Sequence, residues 1–273
     1  MTAQAPFSPQ APAKAASSKR RFASLRAVVA LMLREMATTH GRSPGGYAWA
    51  VLEPVAGIAL LSLVFSVAFR APALGVSFPM FYATGMLPFL MFNAVANTVS
   101  QSLNFSRPLL AYPTVTFVDA LIGRFLLNTM TQLMVAYVLL SGIFFLFDTR
   151  VTPDYSIIVE AFTLAALLAG GIGVLNAFLV GRFPIWQQAW SIIMRPMFLI
   201  SCIFFLFETV PQPYRDWIWW NPLVHIVGLM RRGFYGTYDA TYVSPVYVMV
   251  VGLVALMLGL VFLRRYHRDL LNR

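Results

Sequence analysis

Apolar residues in this chain do not alternate with polar ones. They run for about twenty positions at a time, and charge collects between the runs. Six runs, at about 50–69, 80–102, 120–147, 156–181, 187–207 and 244–263, meet the length a bilayer requires. The third and fourth exceed it, which implies tilt or interfacial ends. Only Arg182-Phe183-Pro184 separates the fourth run from the fifth, and Arg195-Pro196 interrupts the fifth, so a kink at Pro196 is expected. Arg195 should then face protein or water rather than lipid.

Two segments have helical rather than continuous apolar spacing. Phe22, Leu25, Val29, Met32, Leu33 and Met36 recur on one face of residues 22–38, with Arg26, Arg34 and Glu35 on others. The pattern predicts an amphipathic helix in the cytosolic membrane interface, or one packed on a soluble partner. His40-Gly41-Arg42-Ser43-Pro44-Gly45-Gly46 ends it and turns the chain to the membrane. The second is 208–243, between the last two runs. It is crowded with Tyr214, Trp217, Trp219, Trp220, Phe234, Tyr235, Tyr238 and Tyr242 and broken at Pro211, Pro213 and Asn221-Pro222. Trp and Tyr favour the membrane–water boundary. The breaks and the spacing of Leu223, Ile226, Val227, Met230 and Phe234 predict two short helices that dip into the outer face and fold back. The simpler alternative is an interfacial loop with a structural role.

Composition fixes the class. Hydrophobic residues make up 59% and charged residues 11% of the 273, against about 25% charged in soluble domains. The chain is expected to be an all-α integral membrane protein with six transmembrane helices, an N-terminal cytosolic amphipathic helix (22–46) and a re-entrant helical hairpin before the last span. Residues 1–21, rich in Ala, Pro and Ser and lacking an apolar core, form a cytosolic tail rather than a signal peptide. Residues 47–268 form the membrane domain and 269–273 a second tail. Cys202 is the single cysteine, so no internal disulfide is available.

The net charge of +10 points to no nucleic acid, because of where it falls. With both termini inside, fifteen of the twenty Lys and Arg lie on the cytosolic side, leaving Arg70, Arg150, Arg215, Arg231 and Arg232 outside. Arg264-Arg265-Tyr266-His267-Arg268 then meets the anionic inner leaflet.

Little in the chain speaks for catalysis. Lys14 and Lys19 are its only lysines, so the phosphate-binding G-x-x-x-x-G-K-[ST] loop is lacking and any ATP must be hydrolysed by a partner. His40, His225 and His267 have no metal-ligand spacing. Residues 103–119, bracketed by Arg107 and Asp119 and divided by Pro108 and Pro113, could hold a short surface helix with Leu109, Leu110 and Tyr112 on its apolar face, a lever for a cytosolic motor or a plain connection. Glu53-Pro54 sits near the inner end of the first span, just after Tyr47 and Trp49; its carboxylate is either functional or stabilised by the helix dipole. Glu160 reads as an interfacial acid. Phe89, Phe92, Tyr137, Trp186, Trp190 and Phe198 are lipid-facing or core aromatics singly, and as a group they could line a conduit for sugars.

The order of elements and three local sequences resemble the permeases of ABC-2 type transporters. Tyr47-Ala48-Trp49-Ala50-Val51-Leu52-Glu53-Pro54 resembles the approach to the first span in polysaccharide-exporting members. Gly85-Met86-Leu87-Pro88-Phe89 resembles their second span, and Asn221-Pro222-Leu223-Val224-His225 with Arg231 and Phe234-Tyr235-Gly236 resembles their outer hairpin. The similarity covers about 22–268 and is closest to the capsular polysaccharide exporters of Gram-negative bacteria, with O-antigen and teichoic acid permeases as near relatives. The family's acid between His225 and Arg231 is absent here; Gly228 and Leu229 stand in that region, which puts a charge-pair role for Arg231 in doubt.

The resemblance implies a homodimer with two ATPase subunits in the bacterial inner membrane, exporting a lipid-linked polysaccharide, alongside periplasmic and outer-membrane partners. No cofactor would be bound by this chain; ATP and Mg would sit on the partner ATPase. Arg34, Glu35, Arg107, Tyr112 and Asp119 become candidates for coupling to the ATPase. Tyr47, Trp49, Glu53, Phe89, Phe92, Trp186 and Trp190 become conduit candidates, and Trp217, Trp219, Trp220, Asn221, His225 and Arg231 candidates in the outer hairpin. A drug or lipid cargo leaves the architecture unchanged. An integral-membrane glycosyl- or acyltransferase would need acid and base groups converging at one depth, and Glu53, Asp119 and Glu160 belong to different spans.

Overall fold

In the computed structural model residues 23–40, 46–110 and 116–271 are described. The expected tail at 1–21 and the turn at 41–45 lie outside them. Every regular element among the described residues is helical. In chain order the α-helices are α1 (Ala23–Glu35), α2 (Gly46–Ala68), α3 (Phe78–Ser100), α4 (Ser102–Leu110), α5 (Phe117–Leu146), α6 (Tyr155–Arg182), α7 (Trp186–Ile200), α8 (Tyr214–Trp219), α9 (Pro222–Phe234) and α10 (Pro245–Leu271), with a π-helical turn at Met36–His40 and a 3-10 turn at Phe207–Thr209. The last runs through Leu271, so the expected C-terminal tail begins inside a helix.

Local sequence starts these helices where it should. Thr116 and Asp119 form a reciprocal capping box at the head of α5. Asp154 caps α6 by accepting from the backbone N–H groups of Ser156 and Ile157. Asn221 caps α9 from the position before Pro222, whose missing N–H costs nothing there.

Five helices, α2, α3, α5, α6 and α10, are long and apolar enough to cross a membrane. Burial sorts them into layers. The apolar windows of α3 and α6 are 72% and 61% buried, those of α2, α5 and α10 only 17–28%. So α3 and α6 form the core, and α2, α5 and α10 surround it. Their close approach depends on small residues. A Cβ on Gly171 would strike the carbonyl of Gly252, and one on Gly259 would come within 2.6 Å of the Leu175 nitrogen, both across the α6–α10 seam.

The fifth apolar run departs from expectation. Residues 187–207 do not form one helix. Helix α7 has 15 residues, about 22 Å at 1.5 Å per residue, and stops before a turn at 201–205. Cys202, buried, takes φ +58°, in the left-handed region that non-glycine residues seldom adopt. Pro196 stays inside α7 without ending it.

Candidate functional site

Three places gather the residues that the sequence singles out. The first is a joint at the end of the bundle expected to be cytosolic. Helix α1 lies on the head of α5 with Val28, Leu31 and Glu35 buried, while Leu25, Val29 and Leu33, from the expected apolar stripe, stay exposed. Glu35 accepts a hydrogen bond from Arg124 Nε at 2.9 Å, with both side chains nearly out of solvent. Arg124 also lies over the Phe105 ring of α4, 4.4 Å from its centre, and Arg34 lies over the same ring at 5.4 Å. The Ser24 hydroxyl donates to Asp119, whose other oxygen accepts from Thr116. Glu35 and Asp119 are thus spent inside the protein, where a buried acid needs its partner. The faces left for another subunit are the exposed side of α1 and of α4, where Arg107 is exposed. Tyr112 lies outside the described residues. Arg124 and Phe105 were not among the coupling candidates. An aromatic at 105 and an arginine five residues after Asp119 gave no motif by spacing, because their partners come from helices far apart in sequence.

The second place is a cleft of about 460 Å³ between α2, α3 and α5. Trp49, Glu53 and Pro54 line one wall, Met86, Leu90 and Asn93 another, and Gln132 closes it. Glu53 is exposed to this space. Asn93 accepts from Asn97 at 3.0 Å, and Thr98 donates to Asn128, whose amide donates to the carbonyl of Arg124. Of these, the Thr98–Asn128 contact crosses the α3–α5 seam, between the cleft and the joint. The other conduit candidates go elsewhere. Phe89 and Phe92 are buried in the core, Phe89 edge-on to Phe198 at 5.2 Å. Trp186 donates to Asn176 Oδ1 at 2.9 Å, bracing the α6–α7 turn, and Trp190 packs against the core. The side chain of Tyr47 lies outside the description. Asn93 and Gln132 escaped the sequence reading because amides scattered in apolar runs carry no periodic signal.

The third place is the aromatic segment before α10. It forms two helices, α8 and α9, and its polar groups hold the segment together. His225 accepts from Ser244 N–H at Nδ1 (3.2 Å), so its Nε2–H donates to the Trp219 carbonyl (2.8 Å). Burial pushes this imidazole below its ordinary range, against the bond to the Trp219 carbonyl, which favours the charged form. Trp219 stands edge-on to His225 and donates to the Tyr242 carbonyl at 3.1 Å. The Asn221 amide donates to Ser201, tying the cap of α9 to the turn after α7. Trp217 and Trp220 remain 71% and 67% exposed, free to meet an interface.

Arg231 lies at the centre of this third cluster, fully buried. Its two terminal nitrogens donate to the carbonyls of Ile203 and Phe205 at 2.8 Å, and its guanidinium lies over the Phe81 ring at 4.3 Å. The arginine therefore satisfies backbone that the break after α7 leaves open, and no acid is needed for that. Gly85 makes the approach feasible. A Cβ there would sit 3.2 Å from Ile203 Cα and 3.4 Å from the Arg231 guanidinium.

Residues 26–235 match the ABC-2 type transporter family. The polysialic acid transport protein KpsM of Escherichia coli is 31% identical over 245 residues, covering 90% of this chain and 95% of that protein. The capsule polysaccharide export inner-membrane proteins CtrC of Neisseria meningitidis and BexB of Haemophilus influenzae are 26% and 25% identical, each across 89% of this chain and 92% of its own length. Joint, cleft and hairpin thus fall within a sequence match that runs through nearly the whole molecule, and the chain belongs to the ABC-2 type transporter family.

Proposed function

We propose that this chain is the transmembrane permease subunit of an ATP-driven exporter that carries capsular polysaccharide, lipid-linked at one end, outward across the bacterial inner membrane. The observation that carries the reading is similarity over about nine-tenths of the chain to capsule export permeases. The chain is a transport subunit, not an enzyme, and ATP hydrolysis belongs to a separate subunit. Its own sequence offers no lysine for a phosphate-binding loop beyond Lys14 and Lys19.

The finer organisation follows from the same reading. Two copies pair with two ATPase subunits, which hold the ATP and Mg, and this chain binds no cofactor. Both termini are cytoplasmic, and α1 lies in the inner interface. The short α7 serves as a sixth crossing, and α8–α9 form the re-entrant hairpin on the outer side. Periplasmic and outer-membrane proteins continue the path. The cleft with Trp49 and Glu53 opens towards the side from which the cargo comes, and its mixture of ring, carboxylate and amides suits sugar hydroxyls.

The test is a deletion in the native host combined with affinity purification from gently solubilised membranes. Loss of surface polymer with polymer retained in the cytosol, and co-purification of a vanadate-sensitive ATPase at one-to-one ratio, are expected. A normal polysaccharide surface with altered resistance to a drug or altered lipid would move the cargo to those classes. A solitary protein without ATPase would overturn the exporter.

A further inference from the structure

Helix α7 divides into three faces when its residues are placed about 100° apart around the axis. Met194 is buried, and Trp190, Met197 and Phe198 pack beside it. Ile192, Ile193, Leu199 and Ile200 form an exposed apolar face. Between the two lie Gln187, Gln188, Ser191 and Arg195, all exposed and within about 100° of arc. Arg195 has no ion-pair or hydrogen-bond partner among the described residues, and it sits about 13 Å along α7. A guanidinium at that depth is costly in lipid. A polar stripe bordering the packed face, with a separate apolar face for lipid, has the layout of a helix with one side on water.

We infer that this stripe of α7 lines the export path and that Arg195 is a specificity-determining residue, attracting the carboxylates or phosphodiesters of an acidic polysaccharide. The inference rests on the export reading for its cargo, and on the structure for the charged, wet face. Charge complementarity selects the occupant. The stripe holds one cation and no acid, so an anionic polymer is drawn in. Amides and a hydroxyl beside the cation can exchange hydrogen bonds with successive sugars without fixing any of them. Arginine can hold a carboxylate with two parallel N–H donors, which lysine cannot reproduce, though lysine keeps the attraction.

The experiment has two arms on the full chain in native membranes. In the first, Ser191→Cys and Ile192→Cys are treated with anionic sulfonatoethyl and cationic trimethylammonium-ethyl methanethiosulfonates; native Cys202, fully buried, provides the unlabelled baseline. Reaction at position 191 but not 192 is expected. The anionic reagent should be favoured about tenfold relative to a free thiol, and Arg195→Gln should remove that preference. In the second arm, surface and cytosolic polymer are measured. Arg195→Gln should lower export about tenfold, Arg195→Glu more, and Arg195→Lys should restore it to within about twofold, at the scale of one charge–charge contact. An unreactive position 191, as when Arg195 reaches for lipid phosphate or a second copy covers the stripe, overturns the inference. So does an anionic preference that survives Arg195→Gln, or a lysine variant as poor as glutamine. If labelling behaves as expected while deletion of the chain leaves surface polymer intact, the polysaccharide reading falls and the anion-attracting face stands.

Discussion

Arg231 shows how a charge can be built into a buried interior with no ion-pair partner among the described residues. The lone pairs of Ile203 and Phe205 and the face of Phe81 replace part of the water it has lost, while its buried Nε has no hydrogen-bond partner among the described residues. Arg231→Leu strands the buried carbonyl of Ile203, at about 1–3 kcal/mol, and the part-buried one of Phe205, at less. Thermal unfolding in detergent should therefore move clearly downwards. Arg231→Lys, which can reach only one carbonyl at a time, should fall between, and a leucine variant that melts with the parent would remove the cap role. His225 makes a second prediction at this scale. Its folded-state pKa is depressed by burial, so the unfolded chain binds the extra proton first as pH falls. The stability that the neutral ring contributes is complete above about pH 6.5, the ordinary histidine value, and is lost as pH drops through the lower folded value. Exposure of Trp219, followed by fluorescence quenching, should rise below that pH, and His225→Gln should flatten the response.

Among the elements, α1 is held to α5 by polar contacts as much as by apolar ones. Glu35→Ala leaves Arg124 charged and buried, at a cost of about 3–5 kcal/mol to the docking of α1. Arg124→Met in the same chain should recover part of it, as a double-mutant cycle with positive coupling. Thiol accessibility of Val28→Cys, buried in the joint, reports the result, and equal accessibility in all four backgrounds would refute the latch. The α6–α10 seam gives a steric prediction. Gly171→Leu forces a side chain against the backbone of Gly252, so folded protein should be lost, whereas Gly142→Leu, with open space around it, should be tolerated.

For the whole molecule, the division of surfaces matters most. The core is α3 and α6, and the exposed apolar faces of α2, α5 and α10 are left for lipid or a second copy. The Thr98–Asn128 contact ties α3 to α5 between the cleft and the joint. Asn128→Leu should uncouple cargo from hydrolysis: ATPase activity of the purified complex continues within about twofold while export falls. Equal loss of both would mean plain misfolding of the α3–α5 contact.

What the sequence determined by itself was the material of the fold. Apolar runs of span length, caps at Thr116, Asp154 and Asn221, and the proline breaks before α8 and α9 are local facts, and the helices begin close to where those residues stand. The two helices before α10 were legible for the same reason. The partners of charge were not. Glu35 meets Arg124 across 89 positions and Arg231 meets Ile203 across 28, and no periodicity encodes such meetings. Nor could composition tell that Phe89 and Phe92 turn inward while Trp49 faces a cleft, since an aromatic in an apolar run suits lipid, core and conduit equally. The end of the fifth run was not legible, because its residues are apolar throughout and give no stop signal after Ile200. Only the tertiary structure ends α7 at Ile200, since the carbonyls freed by the turn at Cys202 find their donors on a helix that comes later in the chain.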